Sequence, residues 1–559
     1  MRKRPIIQNN RLPLYIARII MMLEKLFWEE LNMGYVHNPV RRGCYPDPSV
    51  CSDGIGFYCV HSSFAYMPGI PVFQSTDLIS WQQIGHVLTE DNMPDLGDIP
   101  VRGGIYAPTI RYHDGIFYCI TTLVKKNNED EEYPAGNFYV TATDPQGPWS
   151  APHFLEGAEG IDPSLFFDGE DCWYVGQRQK EGSGRSGDCE IWIQRLDLTK
   201  AELIGEKYVL WDGAMKNAVW AEGPHLYQRD GCYYLMIAEG GTEFNHSICI
   251  ARSGNLTGPY ESCPANPIFT HRNLGKNAQF QNVGHGDLVE TPAGDWYMLM
   301  LGTRPYNGYA LTGRETFIAD VTWEEDWPVI NAGEGKLREW QKIDLSDTDC
   351  TQPLSRDVQW REPLDQRIVT LRKLDIFHSD RLNMKNGLLR LGSGSDSIVM
   401  VRMEEPVVRF SVRMEYTNLK VGESAGLTLF YDDGTWIRFG VLHKETHFEP
   451  YMNTLRGGGT FRHNKDNSRL QILKSDMTDC VLTILVKNGE ATFKILPDHL
   501  RSSEEKTVDT VSTDFLSSED TGGFTGCMLG VYCSAAPEET ASESNGYAVF
   551  DTLQIRYQA

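Results

Sequence analysis

The sequence predicts an all-β protein: a five-bladed β-propeller followed by a β-sandwich. Three observations carry this. A short motif recurs at Asp47, Ala107, Asp162, Glu222 and His285, once every 55–63 residues. Each copy opens an apolar strand, turns at a glycine and continues into a strand rich in aromatics, which is the texture of a propeller blade. Downstream of residue 362 the texture changes to long runs that alternate apolar and polar residues, as half-buried sandwich strands do. The chain has 559 residues, more than one ordinary domain holds, so two are expected.

Residues 1–34 read as an N-terminal extension outside the fold. They begin basic, and the apolar stretch from Leu12 to Met22 is broken by Arg18. That break argues against a signal peptide, whose apolar region runs unbroken for about 7–15 residues. The stretch is also short of the roughly 20 residues a transmembrane helix needs. A cytoplasmic protein with no membrane partner is expected.

Residues 35–330 are assigned to the propeller. The innermost strand of a unit is exemplified by Thr109-Ile110-Arg111-Tyr112, and the turns by Asp114-Gly115 and Asp230-Gly231. Aromatic second strands such as Tyr233-Tyr234-Leu235-Met236 follow, and then outer strands such as Ile191-Trp192-Ile193. Innermost strands line the central channel, so the residue opening each one faces the channel mouth. Residues 331–362 are polar and weakly periodic and read as a linker or wrap. Residues 363–559 form the sandwich, of a concanavalin-like kind, with hairpin turns at Asp433-Gly434 and Asn488-Gly489.

The formal net charge of -24 excludes nucleic acid and anionic membrane surfaces as natural partners and disfavours a polyanionic substrate. A small neutral substrate suits it better. The 13 cysteines are scattered without metal-ligand spacing and several lie inside apolar strands, the pattern of free thiols in a reducing compartment.

Three repeats carry an acid at the opening position: Asp47 in Tyr45-Pro46-Asp47-Pro48-Ser49, Asp162 in Gly160-Ile161-Asp162-Pro163-Ser164, and Glu222 in Ala221-Glu222-Gly223-Pro224-His225. Three carboxyls gathered at one axis are the apparatus for glycosidic hydrolysis. One stays ionised to activate water, one holds a proton for the leaving oxygen, and a third tunes the donor. Asp162 and Glu222 come from adjacent units, whereas Asp47 lies further round the ring. That separation leaves room for a water, so inversion of the anomeric centre is expected.

At these residues the chain resembles glycoside hydrolase family 43, and within it the two-domain β-xylosidases. The matching segments are Asn38-Pro39-Val40 with Tyr45-Pro46-Asp47-Pro48-Ser49, Gly104-Ile105-Tyr106-Ala107-Pro108 (where relatives usually carry Trp in place of Tyr106), and Gly160-Ile161-Asp162-Pro163-Ser164. Glu222-Gly223-Pro224-His225, Glu239-Gly240-Gly241-Thr242, Gly284-His285-Gly286-Asp287 and Gly313-Arg314-Glu315-Thr316 also match. The resemblance implies that Asp47 is the general base, Glu222 the general acid and Asp162 the modulator of its pKa. It implies that Arg314 binds sugar hydroxyls and keeps Asp47 ionised, and that Phe64 and Tyr106 form apolar walls, with Ala107, Thr242 and His285 alongside. Phe524, in Gly522-Gly523-Phe524-Thr525-Gly526, matches a sandwich loop that reaches over the propeller mouth and makes such enzymes exo-acting. No cofactor is expected to be required. The resemblance leaves open a structural Ca2+ that His285 contacts through water, and a homo-oligomer. The implied activity is release of xylose from β-1,4-xylo-oligosaccharides. α-L-Arabinofuranosidase activity and a non-catalytic sugar-binding propeller stand as alternatives.

Overall fold

The computed structural model describes residues 34–126, 132–215, 217–345, 356–373, 382–394, 397–457, 459–462, 473, 477–497, 504–535 and 546–558. The expected N-terminal extension, apart from Gly34, lies outside the described residues, as do residues 346–355 of the stretch read as a linker.

Five four-stranded antiparallel sheets follow one another, each with its strands in chain order. Blade I comprises Ser49–Ser52, Phe57–Val60, Gly69–Ser75 and Gln82–Leu88, and blade II Gly104–His113, Ile116–Lys126, Glu132–Ala142 and His153–Phe154. Blade III comprises Ser164–Asp168, Asp171–Gln179, Cys189–Asp197 and Glu202–Trp211. Blade IV comprises Glu222–Arg229, Cys232–Glu239, Ser247–Ser253 and Glu261–Ser262, and blade V Gln281–Glu290, Trp296–Thr303, Arg314–Glu324 and Trp327–Ile330. The first hairpins of blades II and IV turn at Asp114-Gly115 and Asp230-Gly231, where both residues have positive φ. This mirror-image turn matches the twist of paired strands, and Asp and Gly tolerate it best.

The ring closes without lending a strand to any blade. Tyr35–His37 pairs antiparallel with Trp340–Lys342, a strand within the polar stretch after the propeller. The buried Asn38 amide joins the two ends: its Nδ2 donates to the carbonyls of Ile318 and Arg338 at 2.9 Å each, and its Oδ1 accepts from the Ile318 N–H at 3.0 Å. An apolar cluster of Val50, Phe57 and Phe73 with Val289, Leu299 and Ile318 fills the seam between blades I and V.

Deeper in the channel, Asp287 is fully buried and gathers donors from three other blades. Its carboxylate accepts from Ser49 Oγ at 2.7 Å, Arg111 Nη1 at 2.8 Å and Tyr227 Oη at 2.6 Å. Burial alone would raise its pKa, but the Arg111 guanidinium holds the carboxyl far below the usual range. A buried charge is tolerable only when paired and hydrogen-bonded in this way. The hub ties the innermost strands together beneath the acids.

The second domain packs a six-stranded sheet, Ile398–Arg402 to Gly459–Arg462 with Met528–Ser534 inserted, against an eight-stranded sheet. Alternate residues such as Phe410, Val412, Ile484 and Phe493 from one sheet meet Leu427, Leu429, Phe439 and Val531 from the other. The protein is thus all-β, a propeller and a concanavalin-like sandwich. The domains are stitched by pairing of Tyr66–Met67 with Thr370–Leu371. A shared apolar cluster includes Phe64, Tyr66 and Val101 with Val369, Met400 and Met528. Arg304 bridges Glu315 of the propeller at 3.1 Å and Glu405 of the sandwich at 2.7 Å. No helix among the described residues is long and apolar enough to cross a membrane.

Candidate active site

Asp47 and Asp162 precede the innermost strands of blades I and III in the left-handed conformation, with φ of 53° and 54°. Ala107 in blade II and His285 in blade V occupy the same place, with φ of 30° and 46°. In blade IV this place belongs to Gly223, φ 55°, and not to Glu222 as the repeat reading has it. Strand register gives the reason. A bulge interrupts each long inner strand: Tyr106 and Thr109 face Thr122 and Ile120, Glu222 and His225 face Ala238 and Met236, and Gly284 and Asp287 face Leu301 and Leu299. The left-handed residue lies inside the bulge, so Glu222 aligns with Tyr106, one residue earlier. Asp and Gly visit the left-handed region at low cost. Glu222 avoids it and enters from one position back on a longer side chain.

All ten residues singled out from the sequence line one cavity of about 210 Å3: Asp47, Phe64, Tyr106, Ala107, Asp162, Glu222, Thr242, His285, Arg314 and Phe524. Four further residues complete it: Ile161, Trp220, Gly241 and His246. Ile161 and Gly241 lie inside quoted motifs and could have been read as neighbours of the named residues. Trp220 and His246 carried no repeat signal.

Asp47 is held from three sides. Arg314 Nη1 donates to Oδ1 at 3.0 Å, Ser62 Oγ donates to Oδ2 at 2.5 Å, and His285 Nδ1 stands 3.7 Å from Oδ1. Ser62 is itself oriented by the Ala107 N–H, 2.7 Å away. Burial pushes the Asp47 carboxyl up, but Arg314, then His285 and the Ser62 hydroxyl, outweigh it and hold the group below its usual value. Asp47 is therefore ionised at neutral pH.

Glu222 meets the opposite balance. Burial, then the charges of Asp162 and Asp47, push its carboxyl well above the usual range, with Arg314 opposing weakly. Asp162 lies between the two. Burial and the Asp47 charge raise it, whereas His285, Arg314 and the Gly223 N–H stabilise its anion, and the result is about 6. One cavity thus holds one carboxyl biased toward its anion and one biased toward its acid form, the division of labour that acid–base hydrolysis needs.

Arg314 also binds Thr242 Oγ1 at 2.9 Å and, through Nε, the Phe524 carbonyl at 3.0 Å. Its guanidinium lies 5.3 Å from the Phe524 ring centroid. Phe524 comes from the sandwich and meets Phe64 and Tyr106 at centroid separations of 5.6 and 5.7 Å. The three rings form one apolar wall, with Phe64 and Tyr106 themselves edge to face at 5.8 Å. His246 hydrogen-bonds the Asn282 carbonyl at 3.1 Å, and burial lowers its pKa to about 3, so the ring is neutral.

A calcium held directly by side chains does not fit here. Calcium takes six to eight oxygen ligands, and His285 offers nitrogen beside a carboxylate already engaged by Arg314 and Ser62. Among the described residues no group of three or more His, Cys, Asp or Glu side chains is placed to hold a metal.

Comparison with known proteins agrees in both domains. Residues 36–328 match the model for glycosyl hydrolases family 43, and residues 358–556 match the beta xylosidase C-terminal concanavalin A-like domain. A xylosidase/arabinosidase from Butyrivibrio fibrisolvens is 40% identical over 542 residues, 94% of this chain and 100% of that protein. A non-reducing end alpha-L-arabinofuranosidase from Bacteroides ovatus is 32% identical over 97% of this chain and 98% of its own length. The crystal structure of xylan beta-1,4-xylosidase from Bacillus halodurans has a TM-score of 0.84 at 29% identity, covering 93% of this chain and 100% of that one. The chain belongs to family 43 of the glycosyl hydrolases and is a glycosidase.

Proposed function

We propose that this glycosidase is an inverting, exo-acting β-xylosidase that removes xylose from the non-reducing ends of short β-1,4-xylo-oligosaccharides. The observation that carries this reading is the gathering of Asp47, Asp162 and Glu222 in one cavity, where Arg314 and Ser62 hydrogen-bond Asp47 while burial and the charge of Asp162 push the Glu222 pKa up. In the reaction, Asp47 takes a proton from a water as its oxygen attacks the anomeric carbon. The glycosidic C–O bond breaks, and Glu222 gives its proton to the departing oxygen. Asp47 ends protonated and Glu222 ionised, and exchange with solvent restores both. Asp162 keeps the Glu222 proton in place by its charge, and Arg314 keeps Asp47 free of one. Asp47 and Glu222 stand on the non-adjacent blades I and IV, which supports a water-sized gap between them and hence inversion.

The aromatic wall of Phe64, Tyr106 and Phe524 supports exo action, because a closed end admits a chain terminus and excludes a continuing chain. The twelve free cysteines among the described residues support a reducing, cytoplasmic setting and soluble, uncharged substrates. A second reading, α-L-arabinofuranosidase activity in the same pocket, is favoured by the names of the Butyrivibrio and Bacteroides relatives.

The test incubates purified protein with xylobiose and with the p-nitrophenyl xyloside and arabinofuranoside, following the first-formed anomer by NMR. α-Xylose released first from xylobiose is the expected result. β-Xylose released first would refute inversion. Cleavage of the arabinofuranoside alone would favour the second reading, and sugar binding without hydrolysis would favour a lectin.

A further inference from the structure

We propose that Trp220 is the platform on which the leaving sugar stacks, and so the residue that sets the preference for what is attached to the cleaved sugar. This deepens the proposed hydrolysis and rests on it. Trp220 lines the same cavity as Glu222, two residues upstream of it. Its exposure is 38%, against 6% for Asp47 and 7% each for Asp162 and Arg314. The buried end of the cavity therefore holds the groups that face the cleaved sugar, and Trp220 stands at the open end. A general acid protonates the leaving oxygen, so the solvent side of Glu222 is where the leaving sugar must lie.

The indole is held there deliberately. Trp220 has φ of 59°, a conformation that bulky residues rarely adopt and that recurs where a side chain must be presented at a functional site. Its backbone N–H donates to the Gly187 carbonyl at 2.7 Å. Two glycines make room for the ring: a Cβ on Gly187 would lie 3.0 Å from indole Cε2, and one on Gly241 would lie 3.3 Å from Cδ1. A large aromatic packed against two glycines on a strained backbone still keeps 38% of its surface open to water. Its flat apolar face suits the C–H face of a pyranose ring.

The test compares kcat/KM for two substrates that share the cleaved sugar: a disaccharide with xylose as the leaving group, and the corresponding glycosyl fluoride, whose leaving group has no ring. The cleaved sugar is whichever the wild type hydrolyses, β-D-xylopyranosyl or α-L-arabinofuranosyl. Trp220→Gly tolerates the left-handed backbone, thermal melting checks that both variants fold, and Trp220→Phe keeps an aromatic face. In Trp220→Gly the ratio of disaccharide to fluoride kcat/KM is expected to fall about tenfold, the scale of one lost apolar ring contact. Trp220→Phe should retain most of the ratio. Equal losses on both substrates, or a Phe variant indistinguishable from the Gly variant, would overturn the platform. A wild type that cleaves neither substrate would instead overturn the proposed function beneath it.

Discussion

Replacing Arg314 by Met should move the acid limb of the pH–activity profile upward. Arg314 Nη1 lies 3.0 Å from Asp47 Oδ1, and both residues are buried. At an effective dielectric of about 20, unit charges at that separation attract by about 5 kcal/mol, and removing one member of a buried pair typically costs about 3–5 kcal/mol. Ser62 and His285 remain beside Asp47, so we assign about half of the attraction to its titration. At about 1.4 kcal/mol per unit, this raises the Asp47 pKa by about 2 units. The sign follows from its role: the base must be ionised, so activity is lost as pH falls through its pKa, and a higher pKa moves that loss toward neutrality. The assay is kcat/KM for an activated aryl glycoside, which needs little acid assistance, between about pH 4 and about pH 9. A raised KM with an unmoved acid limb would refute the reasoning, leaving Arg314 as a substrate ligand alone. Stability should follow the same linkage. The depressed Asp47 pKa stabilises the fold above the unfolded carboxyl value, and this contribution is lost as pH falls through the folded value. The Tm deficit of Arg314→Met should therefore be largest near neutral pH and shrink in acid.

Other outcomes follow from the same geometry. Asp162→Asn removes a charge that raises Glu222, so the basic limb of kcat/KM should shift to lower pH; an unmoved limb would deny Asp162 its tuning role. Phe524→Ala opens the wall against Phe64 and Tyr106, and product chromatography should show poorer cleavage of xylobiose relative to longer oligosaccharides; an unchanged chain-length profile would count against Phe524 as the closure. Asn38→Ala leaves two backbone carbonyls and one N–H at the ring seam without their partner, and urea unfolding should show a loss of about 1–3 kcal/mol with the pH profile unmoved.

Much of this architecture was legible because a closed repeat writes its period into the chain. The acids and their neighbouring prolines recur at blade openings, and the Asp-Gly and Asn-Gly turns fall between paired strands. The one-residue displacement of Glu222 was not legible, because a bulge is a property of strand register, and period counting over units of unequal length cannot resolve it. Contacts that join distant segments were equally hidden. Arg314 and Asp47 are 267 residues apart, and Phe524 and Arg314 are 210 apart; only the family resemblance tied them to one site. Trp220 escaped because neither repeat position nor resemblance marks it, and its role emerges from exposure, backbone strain and the two glycines around it. The strand Trp340–Lys342 lay unseen in a polar stretch because its partner, Tyr35–His37, is at the other end of the propeller.

The measurement closest to the heart of this account is the leaving-group dependence of Glu222→Ala. If Glu222 supplies the proton, the variant should lose about 100-fold to 10,000-fold in kcat on xylobiose while cleaving a glycoside of a strongly acidic phenol at a rate near that of the wild type, and its basic limb should vanish. Comparable losses on both substrates, with the basic limb intact, would mean that the proton comes from elsewhere.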